Sequence, residues 1–277
     1  MSQLVLDDVS VNYKKVRALQ NISYGFKPGI TALLGPNGSG KSTMMNVICT
    51  LRKPSSGTVW YNGNQILKQQ KQYLSKLSIQ FQNQPMFKND SATEYLLFCG
   101  ALKGLDREQT LRQGRALLMR FGIADTGKKK VSAFSGGMRQ RLALVGTFLG
   151  DPEIILLDEP SAGLDIYERE ELKRYLCEIK RNRIIIVSTH IVSDVENIAD
   201  DIVLLSEGTI YANGSQSNLI STQQGKVWEI PDNIDIDKPI YYSNGLRLCN
   251  SDQKPCMEAK QKQADLTDVY FSCIKAR

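Results

Sequence analysis

The stretch Gly35-Pro36-Asn37-Gly38-Ser39-Gly40-Lys41-Ser42, followed by Thr43, decides which kind of fold this chain adopts. It has the pattern G-x-x-x-x-G-K-[ST], in which glycines let backbone N–H groups turn inward around an anion. The apolar run Ile30–Leu34 precedes it, and helical spacing over Lys41–Leu51 follows it. This strand–loop–helix context predicts a phosphate-binding loop, in which Lys41 reaches the β- and γ-phosphates of a nucleotide and Ser42 binds Mg²⁺.

A second apolar run, Ile154–Leu157, ends in the two acids Asp158 and Glu159. Continuous aliphatic runs are typical of buried parallel strands, and ligands bind at the carboxyl ends of such strands. Because successive side chains of a strand point to opposite sides, we expect the two acids to act differently. Asp158 is expected to hold Mg²⁺, directly or through water, and Glu159 to polarise the water that attacks the γ-phosphate.

The segments on either side of these motifs predict an α/β protein. Short strand patterns precede the phosphate loop, and a further strand, closed by a turn, follows its helix; they are Leu4–Leu6, Ser10–Tyr13, Ile22–Phe26, and Thr58–Tyr61 with Asn62-Gly63. They favour an antiparallel β subdomain. Helical spacing from about Ser91 to Phe121 predicts an α-helical subdomain, about residues 85–150, inserted in the α/β part.

The last third of the chain changes character after Ser215. Before that point, Ile184–Val187 predicts a buried strand, and Ile202–Leu205 with Thr209–Ala212 predicts a closing hairpin. Beyond it, polar stretches separate strand-like pieces such as Pro239–Tyr242. The expected organisation is therefore residues 1–215 as the main domain and residues 216–277 as a small C-terminal accessory segment, whose Trp228 is expected to pack onto the main domain.

Composition excludes several classes of protein. The chain has 277 residues, and 35 Lys and Arg against 29 Asp and Glu give a net charge of +6. This mild excess and the short basic run Lys128–Lys130 predict no nucleic-acid partner. No apolar run approaches the ~20 residues that a membrane span needs, and the acidic start resembles no signal peptide. A cytoplasmic location with six free cysteine thiols is expected.

The segment Phe134-Ser135-Gly136-Gly137-Met138-Arg139-Gln140-Arg141 lies between the phosphate loop and the paired acids. It resembles the signature motif of ATP-binding-cassette (ABC) proteins, which distinguishes them from other P-loop ATPases. Phe134 stands where leucine is commoner in the family, and Met138 where glutamine is commoner. Neither departure removes Ser135 or the two glycines, so ATP binding is still expected.

Other marks of the ABC family are present, and the resemblance covers roughly residues 3–215. Tyr13 resembles the aromatic residue on which adenine stacks, Ser161–Asp165 the D-loop, and His190 the switch histidine. Gln82 resembles the Q-loop glutamine, although Gln80 and Gln84 flank it. The resemblance implies a P-loop ATPase that uses ATP and Mg²⁺. The implied catalytic residues are Glu159 and His190, the Mg²⁺ ligands are Ser42, Gln82 and Asp158, and the ATP-binding residues are Tyr13, Gly35, Pro36, Asn37, Gly38, Ser39, Gly40, Lys41, Ser42, Thr43, Gln82, Ser135, Gly136, Gly137 and Asp158.

The resemblance also implies partners. The working unit of the family is a head-to-tail pair of cassettes, homo- or heterodimeric, with two ATP molecules between them. Ser135 is expected to cap a helix whose N-terminal donors point toward the ATP bound by the other chain. A transporter would also need a separate integral membrane permease, docked near Gln82–Tyr95, which would place this chain on the inner face of the membrane.

In detail the sequence looks most like the ATPase subunits of ABC-2-type exporters, which include drug, antibiotic and antimicrobial-peptide efflux or immunity systems. The hints are the Ser-Gly-Gly-Met-Arg-Gln-Arg form of the signature, the sequence Asp165–Arg169, and the tail around Asp265–Tyr270. Two alternatives stay open at this point. One is an importer ATPase subunit, and the other is an ABC ATPase that serves no transporter, such as one of iron–sulfur assembly.

Overall fold

The computed structural model describes residues 3–14, 16–236 and 240–275. Its strands are β1 (Leu4–Tyr13), β2 (Val16–Phe26), β3 (Gly29–Leu34), β4 (Ser56–Tyr61), β5 (Asn64–Gln65), β6 (Leu77–Gln80), β7 (Ile154–Asp158), β8 (Ile184–Thr189), β9 (Asp201–Ser206), β10 (Thr209–Gly214), β11 (Val227–Glu229), β12 (Ile240–Ser243), β13 (Leu246–Asn250) and β14 (Lys260–Gln261). Its α-helices are α1 (Lys41–Ile48), α2 (Gln70–Leu74), α3 (Ala92–Leu102), α4 (Arg107–Arg120), α5 (Gly136–Phe148), α6 (Ile166–Ile179), α7 (Gln216–Gln223) and α8 (Leu266–Lys275).

A six-stranded sheet in the order β10-β9-β3-β8-β7-β6 forms the centre of the fold. Its strands are parallel except β10, which pairs antiparallel with β9 as the predicted closing hairpin. Side chains of β3 alternate between the two apolar clusters that cover the sheet: Ile30 and Leu34 belong to one, and Leu33 to the other. Because the adjacent strands β3, β8, β7 and β6 are parallel, their carboxyl ends lie along one edge of the sheet.

An antiparallel sheet in the order β2-β1-β4-β5 packs with α1 on one side of the central sheet. The prediction of separate strands at Leu4–Leu6 and Ser10–Tyr13 was wrong, because β1 runs through both. The pairing register shifts between Leu6 and Val9, and Asp8 there has a left-handed φ of 51°. A bulge thus absorbs the polar interruption while the strand continues.

Helices α3, α4 and α5 lie between β6 and β7 in the chain. The helical spacing around residues 91–121 resolves into two helices, each starting at a capping box. Ser91 pairs with Glu94 at the start of α3, and Asp106 pairs with Gln109 at the start of α4. These reciprocal hydrogen bonds satisfy backbone donors that would otherwise lack partners and so fix where each helix begins.

Lys103, just beyond α3, links this helix to the central sheet and to α5. Its Nζ donates to Ser78 Oγ at 2.8 Å, to the Thr147 carbonyl at 2.6 Å and to the Leu149 carbonyl at 2.7 Å. Burial lowers the pKa of Lys103 to about 8. The ammonium is thus held by neutral acceptors at the end of α5, where the helix dipole favours a cation.

This lowered pKa predicts a pH dependence of stability. The unfolded chain keeps the proton up to about pH 10.5, whereas the folded chain releases it near pH 8, so alkali favours the folded state across this window. We expect the unfolding free energy of the native protein, relative to that of Lys103→Met, to increase by about 2–3 kcal/mol between pH 7.5 and pH 10. Urea unfolding followed by circular dichroism measures it; a difference that stays constant with pH would contradict the assignment.

The C-terminal residues form a third sheet, β12-β13-β11-β14, together with α7 and α8. Asp268 at the start of α8 is fully buried and accepts hydrogen bonds from Lys262 Nζ at 2.7 Å and Tyr241 Oη at 2.9 Å. The opposite face of α8, including Leu266 and Val269, joins an apolar cluster of the central sheet. Helix α8 thus contacts both the third sheet and the central sheet.

Two expectations for this region are modified. Trp228 packs against the small Ile230–Cys249–Ala259 cluster of the accessory sheet and donates to the Ser251 carbonyl at 2.9 Å, so its predicted packing onto the main domain was wrong. The predicted strand at Pro239–Tyr242 is β12, although Pro239 itself lies outside the described residues. Across the described ranges, every α-helix is too short or too polar to cross a lipid bilayer.

Candidate active site

A cleft of about 600 Å³ opens where the phosphate loop meets the carboxyl ends of the central strands. Eleven of the residues predicted for the site line it, namely Tyr13, Asn37, Gly38, Gly40, Lys41, Ser42, Thr43, Gln82, Asp158, Glu159 and His190. They come from the ends of β1, β3, β6, β7 and β8 and from the start of α1. Parallel pairing of four adjacent strands therefore brings residues that are more than 100 positions apart in sequence into one cleft.

The phosphate loop has the shape of an anion-binding site. Gly40, at the start of α1, has φ 109° and offers no side chain to cap the first amides of the helix. A Cβ on Gly35 would lie 2.3 Å from the Leu205 carbonyl oxygen, so no other residue fits there. An uncapped helix N-terminus beneath a tight glycine loop fits the phosphates of a nucleotide.

Lys41 projects from the first turn of α1 and is buried. Its Nζ donates to the carbonyl oxygens of Gly35, at 2.6 Å, and Pro36, at 3.1 Å, which curl the loop around the ammonium. Burial lowers the pKa of Lys41, and the nearby carboxylates of Glu159 and Asp158 oppose that shift. The ammonium therefore lies at the inner wall of the cleft, where a phosphate oxygen could replace one carbonyl.

Asp158 and Ser42 face each other across the inner end of the cleft. The Ser42 hydroxyl lies 3.4 Å from Asp158 Oδ2. Burial raises the pKa of Asp158, an effect that a bound cation would reverse. Within the described ranges, no three His, Cys, Asp or Glu side chains are grouped to hold a metal ion by themselves. The Ser42 hydroxyl and the Asp158 carboxylate are oxygen donors, and such donors suit Mg²⁺, which commonly takes one or two protein ligands together with phosphate oxygens and water.

Glu159 and His190 are in direct contact. Glu159 Oε1 lies 2.7 Å from His190 Nδ1, and Thr189 Oγ1 donates to Glu159 Oε2 at 3.2 Å. The Glu159 side chain is buried, whereas that of His190 is half exposed toward the cleft. The two side chains predicted to be catalytic, 31 positions apart in sequence, thus form one hydrogen-bonded unit. Such a pair can orient a water molecule and accept its proton.

The structure separates Gln82 from its two neighbouring glutamines. Gln80 is fully buried and donates to the Phe81 carbonyl, and Gln84 accepts from the Phe81 amide at 3.1 Å. Gln82 is exposed and lines the cleft. It is therefore the glutamine of this stretch that is placed to reach a ligand.

Tyr13 lines the outer end of the cleft, at the rim where β1 turns into β2. The Arg52 guanidinium lies over its ring, 4.5 Å from the centroid, and donates to the Asn12 carbonyl. An aromatic ring held this way at a cleft mouth suits stacking with a planar base.

The sequence analysis missed several residues of the cleft wall, which are Val16, Arg17, Ala18, Gln20 and Glu207. Those in β2 pair across the hairpin with the end of β1, and Gln20 is bonded through both its amide and its side chain to the turn at Glu207–Gly208. These β2 residues could have been found in the sequence, because a strand that follows Tyr13 closely must pair back beside β1 and so lie next to Tyr13.

The signature residues Ser135, Gly136 and Gly137 do not line the cleft. Ser135 is the N-cap of α5, and its hydroxyl accepts from the Met138 amide at 3.2 Å. The residue is exposed, and a Cβ on Gly136 would meet open space. The start of α5 therefore presents a capped but accessible helix N-terminus on another part of the surface.

Comparison with known proteins agrees with this geometry. The family model described as "ABC transporter" matches residues 19–162, just over half of the chain. The chain belongs to the ABC transporter family. It is an ABC-type ATPase. Members of this family bind ATP, generally with Mg²⁺, and their ATPase subunits work with membrane permease components.

Relatives of this ABC ATPase span most of its length. The ABC transporter ATP-binding protein NatA of Bacillus subtilis is 31% identical over 216 residues, which are 77% of this chain and 88% of that protein. The probable sulfate/thiosulfate import ATP-binding protein CysA of Chlorella vulgaris is 32% identical over 219 residues, covering 78% and 92% of the two chains. The structure of cbiO1 from Clostridium perfringens, part of the ABC transporter complex cbiONQ, superimposes with a TM-score of 0.69 at 27% identity over 79% of this chain and 90% of that one.

Proposed function

We propose that this ABC ATPase subunit drives export through a separate membrane permease by closing around two ATP molecules with a second cassette. The proposal that this chain hydrolyses ATP for transport rests on the Glu159–His190 contact at 2.7 Å, beside the phosphate loop. A glutamate side chain next to an imidazole is suited to take a proton from an attacking water. The paired arrangement is supported by the signature residues, which lie outside the cleft of their own chain.

The proposed roles follow from position in the cleft. Lys41 and the amides of residues 35–43 bind the phosphates, and Tyr13 stacks on the adenine. Ser42 and Gln82 bind Mg²⁺, with Asp158 behind them, and that ion neutralises charge on the phosphates when bound. Glu159 is the general base, and His190 holds the γ-phosphate or the water. Ser135, Gly136 and Gly137 bind the ATP carried by the second cassette.

Exposed aromatic residues beyond Gln82 support docking of a permease. Phe87 is 60% and Phe98 46% exposed, and their rings meet edge to face at 5.7 Å. Leu102, on the same helix as Phe98, is 73% exposed. Exposed large apolar side chains that touch one another, as these two rings do, form the kind of surface patch that marks protein contact sites. Such docking would hold the chain on the cytoplasmic face of the membrane, with residues 1–215 as the ATPase domain and residues 216–277 as an accessory segment.

Export is proposed over import from sequence details, since cassettes of both kinds share this fold. The form of the signature at Ser135–Arg141 and the residues Asp165–Arg169 resemble those of ABC-2-type exporters. Import is the second candidate, because a relative of comparable identity is named as an import ATP-binding protein.

Purification of the tagged chain from detergent-solubilised membranes tests this proposal. We expect a polytopic membrane protein without an ATPase domain of its own to co-purify, and no extracytoplasmic binding protein. A binding protein in the same complex would favour import. Recovery with soluble partners alone would overturn the transport proposal while leaving the ATPase intact.

A further inference from the structure

Glu159 has an unusual backbone for a residue that must hold a side chain in place. Its φ is 50°, in the left-handed region that residues other than glycine rarely adopt. The chain leaves β7 at this point and turns sharply through Pro160 and Ser161. Residues in this conformation persist when surrounding contacts hold them, and they cluster at active sites.

The Glu159 backbone is held on one side by β8. Its amide donates to the Ser188 carbonyl at 2.8 Å, and its side chain contacts Thr189, the last residue of that strand, and His190, which follows it. The amide of Ala162 closes the turn by donating to the Glu159 carbonyl at 3.2 Å. These bonds fix the start of the turn and the carboxylate, but none of them reaches the carbonyl of Pro160.

The other side of the turn is held by Gln140 of α5. Gln140 is 9% exposed, and its Nε2 donates to the carbonyl of Pro160 at 2.8 Å and to that of Glu159 at 3.3 Å. A side-chain amide has two N–H donors, so both bonds can form at once. Because both partners are acceptors, the orientation of the amide is fixed by its environment.

We infer that Gln140 is a positioning residue for Glu159: by binding both carbonyls of the Glu159–Pro160 turn, it holds the left-handed backbone that aims the carboxylate at the cleft. The inference rests on the proposed role of Glu159 as general base. Gln140 touches neither the cleft nor a nucleotide. Its loss should therefore misplace the base without removing any group that binds ATP, and misplacement by about 1 Å can cost as much as 100-fold in rate.

The test is Gln140→Met, which keeps a side chain of similar length but has no donor. We expect kcat for ATP hydrolysis to fall about tenfold or more, with KM within threefold of the native value. ATP affinity, measured in a Glu159→Gln background so that ATP persists, should also stay within threefold. Gln72→Met, at an exposed position of α2, is the matched control and should keep native kcat.

A double variant separates positioning from a general structural role. If Gln140 acts through the carboxylate, Gln140→Met should not lower the residual hydrolysis of Glu159→Ala by more than twofold. A further loss there, or a matching loss of ATP affinity, would overturn the inference. So would native kcat in Gln140→Met.

Two outcomes distinguish this inference from the proposed function. If Glu159→Gln hydrolyses ATP at the native rate, the role of Glu159 falls and the inference falls with it. If Glu159→Gln is inactive but Gln140→Met is not impaired, only the role of Gln140 falls. Should Gln140→Met fail to fold, Gln140→Glu retains the length of the side chain, and its kcat should increase from pH 8.5 to pH 6, relative to native, as the carboxyl gains a donor proton.

Discussion

Glu159→Gln should lower the steady-state rate of ATP hydrolysis by at least about 100-fold, since an amide cannot take a proton from the attacking water. The substitution preserves the size of the side chain, and its carbonyl oxygen can still contact His190, 2.7 Å away in the native site. The ATP-binding residues are not altered. We therefore also expect the variant to accumulate as an ATP-bound pair of cassettes, because closure would proceed and hydrolysis would not.

Phosphate release at saturating Mg-ATP measures the first effect, and size-exclusion chromatography with and without ATP measures the second. Glu170→Gln is a suitable control, because Glu170 is largely exposed on α6 and makes a surface ion pair with Lys173. It should retain native hydrolysis. Unimpaired turnover in Glu159→Gln would refute its assignment as general base.

Lys41→Met should weaken ATP binding about 10- to 100-fold, the loss expected when charge-assisted hydrogen bonds to phosphate are removed. The Lys41 ammonium is buried at the inner wall of the cleft, so the charge is poorly screened by water. Methionine carries no positive charge, so the variant has no cation at this position to bind a phosphate. Titration calorimetry with ATP, in the Glu159→Gln background, gives the dissociation constant directly.

Loss of affinity in Lys41→Met must be separated from damage to the loop, since Lys41 also binds the carbonyls of Gly35 and Pro36. Thermal unfolding without nucleotide provides that separation, and we expect the variant to unfold cooperatively. Lys68→Met removes one positive charge at an exposed position and should bind ATP as the native protein does. An unchanged dissociation constant in Lys41→Met would contradict the proposed phosphate contact.

The sequence was sufficient to predict the ATPase fold and most of the cleft. Local chemistry makes this possible: glycines and a lysine at fixed spacing form a phosphate loop wherever a strand leads into a helix. The same holds for Asp158 and Glu159, because a long apolar run ending in acids places them at a strand end. Both motifs are formed by residues adjacent in the chain, so they can be identified from the sequence.

The choice between Gln80, Gln82 and Gln84 could not be made from spacing alone. All three have the same side chain, and they lie within five residues. Burial of Gln80 and the bond of Gln84 to the Phe81 amide leave Gln82 at the cleft. These contacts depend on how β6 pairs with β7, which is a property of the sheet.

The sequence by itself identified the family and the residues proposed to carry the chemistry, because those motifs are contiguous and their function depends on local backbone shape. The tertiary structure alone decided how they meet. It brought Glu159 against His190, placed Gln140 of the signature helix beneath the Glu159 turn, and kept Ser135 away from the cleft of its own chain. Each of these depends on packing between segments distant in sequence, and hydrophobic burial, which is non-directional, leaves no local pattern that records such pairings.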